Sequence, residues 1–369
     1  YAIVGCSEAV IPGKSLSIVG GTCYFNLLKM LEITLNGGVN PRTGICLWRA
    51  EQPEGFKDVE HIFEAFCERA SHYMRFIVPL TSVTSATDAD LNPTPFASAL
   101  LDWRLHVGRD ISEGGGPNAR YSHTIIQGHG AANVGNALYA IDRLVFKEKR
   151  LSLRELVRIL GQNYCGPLGE FAKSEVLKLP KFGNDVDEVD SFVTRVAHVF
   201  AEELKKYTPW RGGVFGGSLQ GLTANVPEGD VTGATPDGRL AGEPLADNVS
   251  PSAGTDVNGP TAVLRSVSKI DHSRFVNGNI LNLKLHPSMV DSRGNILRLA
   301  EMVRTFLVDL KGNQVQFNVV SAEELRKAQQ EPDKYRNLIV KVAGYSAYFV
   351  TLDEKLQNQV IARTEHRTF

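Results

Sequence analysis

An α/β fold is what this sequence predicts, on three observations. Apolar residues recur at helical spacing in several segments, for example Val59, Ile62, Phe63, Phe66, Ala70 and Tyr73. Between such segments lie short apolar runs bounded by turn residues, above all Leu338 to Phe349, where β-branched and aromatic residues flank Gly344. Hydrophobic residues make up 43% and charged residues 22%, an ordinary balance for a soluble globular chain. Helices alternating with short strands define the class.

The elements follow in order. Residues 1–24 contain Gly5-Cys6-Ser7-Glu8, Ile11-Pro12-Gly13-Lys14 and Gly20-Gly21, and glycines around a polar tip predict a tight, ordered loop. Tyr24 to Leu35 carries Phe25, Leu28, Leu31 and Leu35 on one helical face and stops at Asn36-Gly37-Gly38. A second amphipathic helix spans 58–78, and 93–106 reads as helical behind Pro93 and Pro95. Ser112 to Pro117 reads as a loop. Gly128 to Phe146 reads as a helix rich in small residues (Ala131, Ala132, Gly135, Ala137, Ala140), suited to close packing. Ser152 opens another helix with Glu155 as capping-box partner, and 187–207 is long and amphipathic. After Gly213 the chain turns to short apolar runs, with a turn at Thr235-Pro236-Asp237-Gly238. Short helices are expected over 321–330, with Ser321 and Glu324 as caps, and over 354–364.

Charge excludes some functions. Lys and Arg number 40 against 41 Asp and Glu, so nothing points to nucleic acid or an anionic membrane surface. No apolar run reaches the roughly 18 residues that span a bilayer. The five cysteines are scattered without a CxxC pair, which argues against a zinc site or disulfide framework and suits a reducing cytoplasm. Tyr1-Ala2-Ile3-Val4-Gly5 has neither an initiator Met nor a charged leader, so the chain is expected to be a fragment or one half of a split polypeptide.

Residue types alone leave the chemistry open. Cys6, in a glycine-bounded loop with Glu8 two residues on, has the makings of a nucleophile beside a base, although a lone loop cysteine is usually inert. His106, His123 and His129 sit in runs that read as core-facing, with no acidic third ligand for a metal. Gly114-Gly115-Gly116 and the pairs Gly212-Gly213 and Gly216-Gly217 lack the Lys-Ser/Thr of a phosphate loop, and mark close passage of backbone to backbone or to a substrate. Gly344 reads as a bulge in a buried strand.

The order of residues adds a resemblance. Val342-Ala343-Gly344-Tyr345-Ser346-Ala347-Tyr348-Phe349 is similar to the radical-site motif of the glycyl radical enzymes, the family of pyruvate formate-lyase and glycerol dehydratase. Gln316-Phe317-Asn318-Val319-Val320-Ser321 and Pro332-Asp333-Lys334-Tyr335 match its approach to that motif. Gly5-Cys6-Ser7-Glu8 resembles the active-site cysteine loop, and Lys181–Asp185 and Thr232–Arg239 resemble further segments, so the likeness covers nearly the whole chain. The chain departs from the family at Lys341, where Arg is usual, and at Ala9, where Pro commonly follows the Glu.

The resemblance implies half of a ten-stranded α/β barrel surrounded by helices. Residues 1–240 would be the C-terminal part of the barrel, and 241–369 the glycyl radical domain. Gly344 would store the radical, Cys6 would abstract hydrogen, Glu8 would be the base, and Tyr24 and Phe215 would wall the substrate pocket. No bound cofactor and no metal are implied. The radical would be installed by an activating enzyme using S-adenosylmethionine and an iron–sulfur cluster. Other expected partners are the N-terminal half of the enzyme, a small-molecule substrate and a second copy in a homodimer. The setting would be the cytoplasm, or a microcompartment, of an anaerobic prokaryote. Ser7 after Cys6 argues against the formate-lyase type, which has two adjacent cysteines, and Glu8 argues against benzylsuccinate-type addition. That leaves the eliminases (diol, hydroxyproline, choline or sulfonate substrates), with arylacetate decarboxylation or another C–C cleavage as the alternative. A non-catalytic structural subunit is the reading from another class.

Overall fold

The computed structural model describes residues 2–11, 23–114 and 123–369. Pro12 to Lys14, Gly20-Gly21 and Gly115-Gly116-Pro117 lie outside them.

Strands β1 (Ala2–Val4) and β2 (Glu8–Val10) form an antiparallel hairpin whose turn is Gly5-Cys6-Ser7. Strand β3 (Cys23–Asn26) runs into helix α1 (Leu27–Leu35). The helix expected from Tyr24 therefore begins three residues late. Asn26 decides this, because its side chain accepts the Lys29 N–H at 2.8 Å and caps α1, leaving Tyr24 on a strand.

Helix α2 (Val59–Leu91) is capped by Asp58 and continues through Pro79 well beyond the expected end at 78. Proline there gives up one helical hydrogen bond without ending the helix. Two short helices follow, α3 (Pro95–Ala99) and α4 (Asp102–Val107), where one was expected. Strand β4 (His123–His129) precedes α5 (Ala131–Ile141), so the first part of the expected 128–146 helix is strand. Pairing overrides local propensity there, since β4 is bonded on both sides, by β3 and β5 (Val214–Ser218), all parallel. Gly130, at φ 77°, makes the change of direction. Beyond Ile141 the helix widens into a π-helical turn at Asp142–Lys147.

Helix α6 (Leu153–Gly161) has the expected reciprocal cap of Ser152 and Glu155. Helices α7 (Pro167–Lys178) and α8 (Asp187–Leu204) precede β5, and α9 (Asn225–Asp230) follows it. The turn at 235–238 closes with the Gly238 N–H on the Thr235 carbonyl at 3.0 Å. Next come α10 (Pro260–Ser268), β6 (Ile280–Leu285), α11 (Arg293–Arg304), β7 (Gln314–Val319) and α12 (Ala322–Gln330). A second hairpin, β8 (Ile339–Lys341) and β9 (Ser346–Tyr348), leads to α13 (Glu354–Ala362) and the short β10 (Glu365–His366).

Two parallel sheets result, β3-β4-β5 and β10-β6-β7, joined through a parallel bridge between Leu219 and Asn279. One side of β3-β4-β5 packs on α8. Phe200 of α8 lies against Phe25 and fills the space left by Gly128 and Gly217, where an added Cβ would fall 2.8 and 2.9 Å from its ring. Gly217 thus admits an aromatic ring, and Gly216 on the other face the Val276 side chain, rather than backbone. A second core cluster lies under the 339–348 hairpin, formed by Val320, Leu325, Val340, Val342, Phe349 and Val360 among others.

The small residues of α5 let it lie against α8. A Cβ on Gly135 would stand 2.2 Å from Val193 Cγ2 and 2.7 Å from its backbone nitrogen. Gly135→Ala is therefore expected to destabilise the chain by about 1–3 kcal/mol, the usual cost of overpacking. The midpoint of urea unfolding measures it, and an unchanged midpoint contradicts the packing described.

Candidate active site

The two hairpins present their tips to each other. Gly344 lies in the β8–β9 loop at φ +79°, a conformation that side chains disfavour. A Cβ there would also fall 2.3 Å from Cys6 Cβ and 2.7 Å from Cys6 Cα. Glycine is thus required twice over, and a Gly344 α-hydrogen points at Cys6. Opposite ends of the chain meet at one van der Waals contact.

Each tip is held by side chains. The Cys6 turn is fixed by Ser7, whose hydroxyl contacts the Gln220 carboxamide and donates to the Asn277 carbonyl at 3.0 Å. Gln314 Nε2 donates to the Cys6 carbonyl at 2.8 Å. Gly278 lets the chain before β6 pass close to the turn, since a Cβ there would lie 2.7 Å from the Ser7 carbonyl oxygen. On the other tip, the Gly344 N–H donates to Gln316 Oε1 at 2.9 Å. Asn318 acts as a surrogate strand, accepting the Lys341 N–H and donating to the Lys341 carbonyl, both at 2.7 Å. Arg363, buried and paired with Asp247 at 2.7 Å, donates to the Val342 and Lys341 carbonyls at 2.8 and 3.1 Å. The Lys341 side chain itself is exposed, so the site uses its peptide groups, and the replacement of the usual Arg leaves these bonds unchanged.

Glu8 is buried beside the cysteine. Its Oε2 accepts the Ser7 N–H at 2.8 Å, and its Oε1 lies 3.4 Å from Gln220 Nε2. Burial, and secondarily the Glu8 carboxylate, raise the Cys6 thiol above its ordinary value of 9.0. Cys6 therefore stays S–H at neutral pH, which disfavours the nucleophile reading and suits hydrogen-atom transfer. Burial above all raises the phenols of Tyr24 and Tyr345, both of which lie within electrostatic reach of the Cys6 sulfur.

The predicted residues separate into two groups. Cys6, Glu8 and Gly344 come together, with the Tyr24 phenol within electrostatic reach of Cys6 and its ring 5.2 Å from that of His129. Phe215 does not join them. It is 1% exposed on the same side of β5 as Gly217, facing α8, while Gly216 and Ser218 face the side of Tyr24. His106 is exposed on α4, whereas His129 is buried between Glu228 Oε2 at 2.7 Å and the Gln220 carbonyl at 3.1 Å. Sequence reasoning missed Gln314, Gln316 and Asn318 as anchors and Tyr345 as a neighbour of the thiol. Their signal was available in the alternation Gln-x-Gln-x-Asn along one strand face, and in the Tyr next to Gly344.

Residues 1–229 match the family model described as "Pyruvate formate lyase-like", and residues 245–350 match the one described as "Glycine radical". The chain belongs to this family of glycyl radical enzymes. It is 34% identical over 376 residues to a probable dehydratase, YbiW, of Escherichia coli K12, covering 99% of this chain and 46% of that protein. It is 33% identical over 389 residues to the indoleacetate decarboxylase of Tractidigestivibacter scatoligenes, covering 99% and 43%. The B12-independent glycerol dehydratase of Clostridium butyricum superposes with a TM-score of 0.92 at 38% identity, covering 99% of this chain and 46% of that one. The strands and helices described are thus part of a glycyl radical enzyme barrel with its radical domain. The chain spans about half the length of the relatives it matches.

A thiol kept protonated has a measurable signature. Iodoacetamide should modify Cys6 more slowly than exposed Cys46 at about pH 8, with the Cys6 rate climbing as pH rises past 9.0. Peptide mass spectrometry over a pH series reads this, and faster labelling of Cys6 at neutral pH contradicts the assignment.

Proposed function

We propose that this chain carries the radical relay of a glycyl radical eliminase, acting on a small polar substrate such as a diol, hydroxyproline, choline or a sulfonate. The observation that carries the reading is the contact of the Gly344 Cα with Cys6.

An activating enzyme using S-adenosylmethionine and an iron–sulfur cluster removes one Gly344 α-hydrogen. The resulting radical is planar and shared between the flanking amide nitrogen and carbonyl. Cys6 S–H gives its hydrogen atom to that carbon, leaving a thiyl radical and an intact glycine. The thiyl takes a hydrogen atom from a substrate carbon. Glu8 takes the proton of the hydroxyl or similar N–H group on that carbon, and the neighbouring leaving group departs with its electron pair. The product radical recovers a hydrogen atom from Cys6, which closes the cycle. Oxygen reaching the Gly344 radical instead breaks the backbone there.

A polar substrate is supported by the wall on Tyr24's side. Gln127 lies opposite both Tyr24 and Ser218 in the strand registers, and the Gln127 amide oxygen and Ser218 hydroxyl are buried with no protein partner among the described residues. Such groups cost free energy unless a ligand satisfies them. The 33% identity to an indoleacetate decarboxylase supports a second reading, loss of carbon dioxide from an arylacetate, with Glu8 in proton transfer. Residues 241–369 are assigned as the radical-bearing unit. The remaining part of the pocket is assigned to an N-terminal half like that of the longer relatives, and the assembly to a homodimer.

Anaerobic activation followed by electron paramagnetic resonance tests the relay. A glycine-centred doublet is expected, absent in Gly344→Ala. Cys6→Ser should keep the doublet and lose turnover, and its retention of turnover removes Cys6 from the mechanism. No doublet with a competent activating enzyme refutes the whole reading and leaves a structural subunit.

A further inference from the structure

One face of β7 holds both partners of the relay. Side chains two apart on a strand share a face about 6.6–6.8 Å apart. Gln314 donates to the Cys6 carbonyl at 2.8 Å and Gln316 accepts the Gly344 N–H at 2.9 Å.

The direction of the second bond is fixed by a chain of acceptors and donors. Asn282 Nδ2 faces the Asp247 carboxylate at 2.6 Å and the Val342 carbonyl at 3.2 Å. Both accept only, so the amide nitrogen of Asn282 must lie there and its oxygen must face Gln316. Gln316 Nε2 then donates to Asn282 Oδ1, which leaves Oε1, and only Oε1, for the Gly344 N–H. Asp247 is in turn held by Arg363, whose other bonds go to the carbonyls of Val342 and Lys341. A single buried ion pair thus sets which way the Gln316 carboxamide points.

We infer that Gln316 is the positioning residue of the glycyl radical, fixing the Gly344 peptide plane and polarising its N–H. This rests on the radical residing at Gly344. An acceptor on that N–H raises electron density on the nitrogen that shares the unpaired electron, so the bond acts on the radical itself as well as on loop geometry.

Activated protein of three kinds separates the possibilities: wild type, Gln316→Met and Gln316→Glu. Met removes the acceptor at similar length. Glu keeps an acceptor for the Gly344 N–H but loses the donor to Asn282. The Met variant should show a doublet with altered hyperfine splitting and turnover per spin reduced about fivefold to tenfold, the scale of one hydrogen bond. The Glu variant, which keeps an acceptor on the Gly344 N–H and strengthens it, should recover much of the turnover that Met loses and shift the splitting in the opposite sense to Met. Wild-type splitting and turnover in both variants overturns the inference. So does an equal loss of turnover in both with the splitting unchanged, which marks a purely structural role. Absence of a doublet in wild type itself refutes the radical assignment instead, so the two failures are distinguishable.

Discussion

A contact with no room for a side chain governs this structure. Gly344 and Cys6 approach until a single added carbon would overlap the cysteine Cβ, so neither hairpin tip can shift far without breaking the approach. Beyond its own short hairpin, each tip is anchored by residues from elsewhere in the chain. The Cys6 turn rests on Gln220, Asn277 and Gln314, and the Gly344 loop on Gln316, Asn318, Asn282 and Arg363. Most of these anchors are neutral amides, each offering a donor and an acceptor, so they satisfy peptide groups without adding charge near Gly344. The one ion pair of the network, Asp247 with Arg363, lies behind the Val342 carbonyl, and breaking such a buried pair is costly.

The parallel sheets supply the rigid frame. Strand β7 carries three of the anchors, and its register with β6 brings Gln316 opposite Asn282. The side of β3-β4-β5 away from Tyr24 is sealed by Phe200 over glycines, while Tyr24, Gln127 and Ser218 stand on the other. Core and site are thus the two faces of the same strands.

Much of this was legible in the sequence. The caps at Ser152 and Ser321 gave the starts of their helices, because side chain and backbone nitrogen lie three residues apart on one turn. The Cys6 and Gly344 loops were legible through residue order, not periodicity. Residues 24–26 and 128–129, the ends of strands β3 and β4, were read as helix because Phe25 and the small residues near Gly128 fit a helical stripe, and only pairing across the sheet decides otherwise. Phe215 stands on the α8 face of β5 and misses Tyr24's face by one position, since side chains alternate and its neighbour Gly216 occupies the opposite face. Nothing local announces which parity faces inward.

The short strand β10 changes what oxidative damage looks like. Residues beyond Gly344 are tied back independently of the backbone at that point. Strand β10 pairs with β6, His366 bonds to Asp256 at 3.0 Å, Lys284 donates to the Ile361 carbonyl at 2.7 Å, and Val360 and Leu356 lie in the second core cluster. A chain severed at Gly344 therefore keeps its tail in place as a non-covalent complex. It would elute from a sizing column as though intact and come apart only in denaturant. A chain cleaved at Gly344 would thus keep its native size while losing any radical signal and activity that depend on that residue.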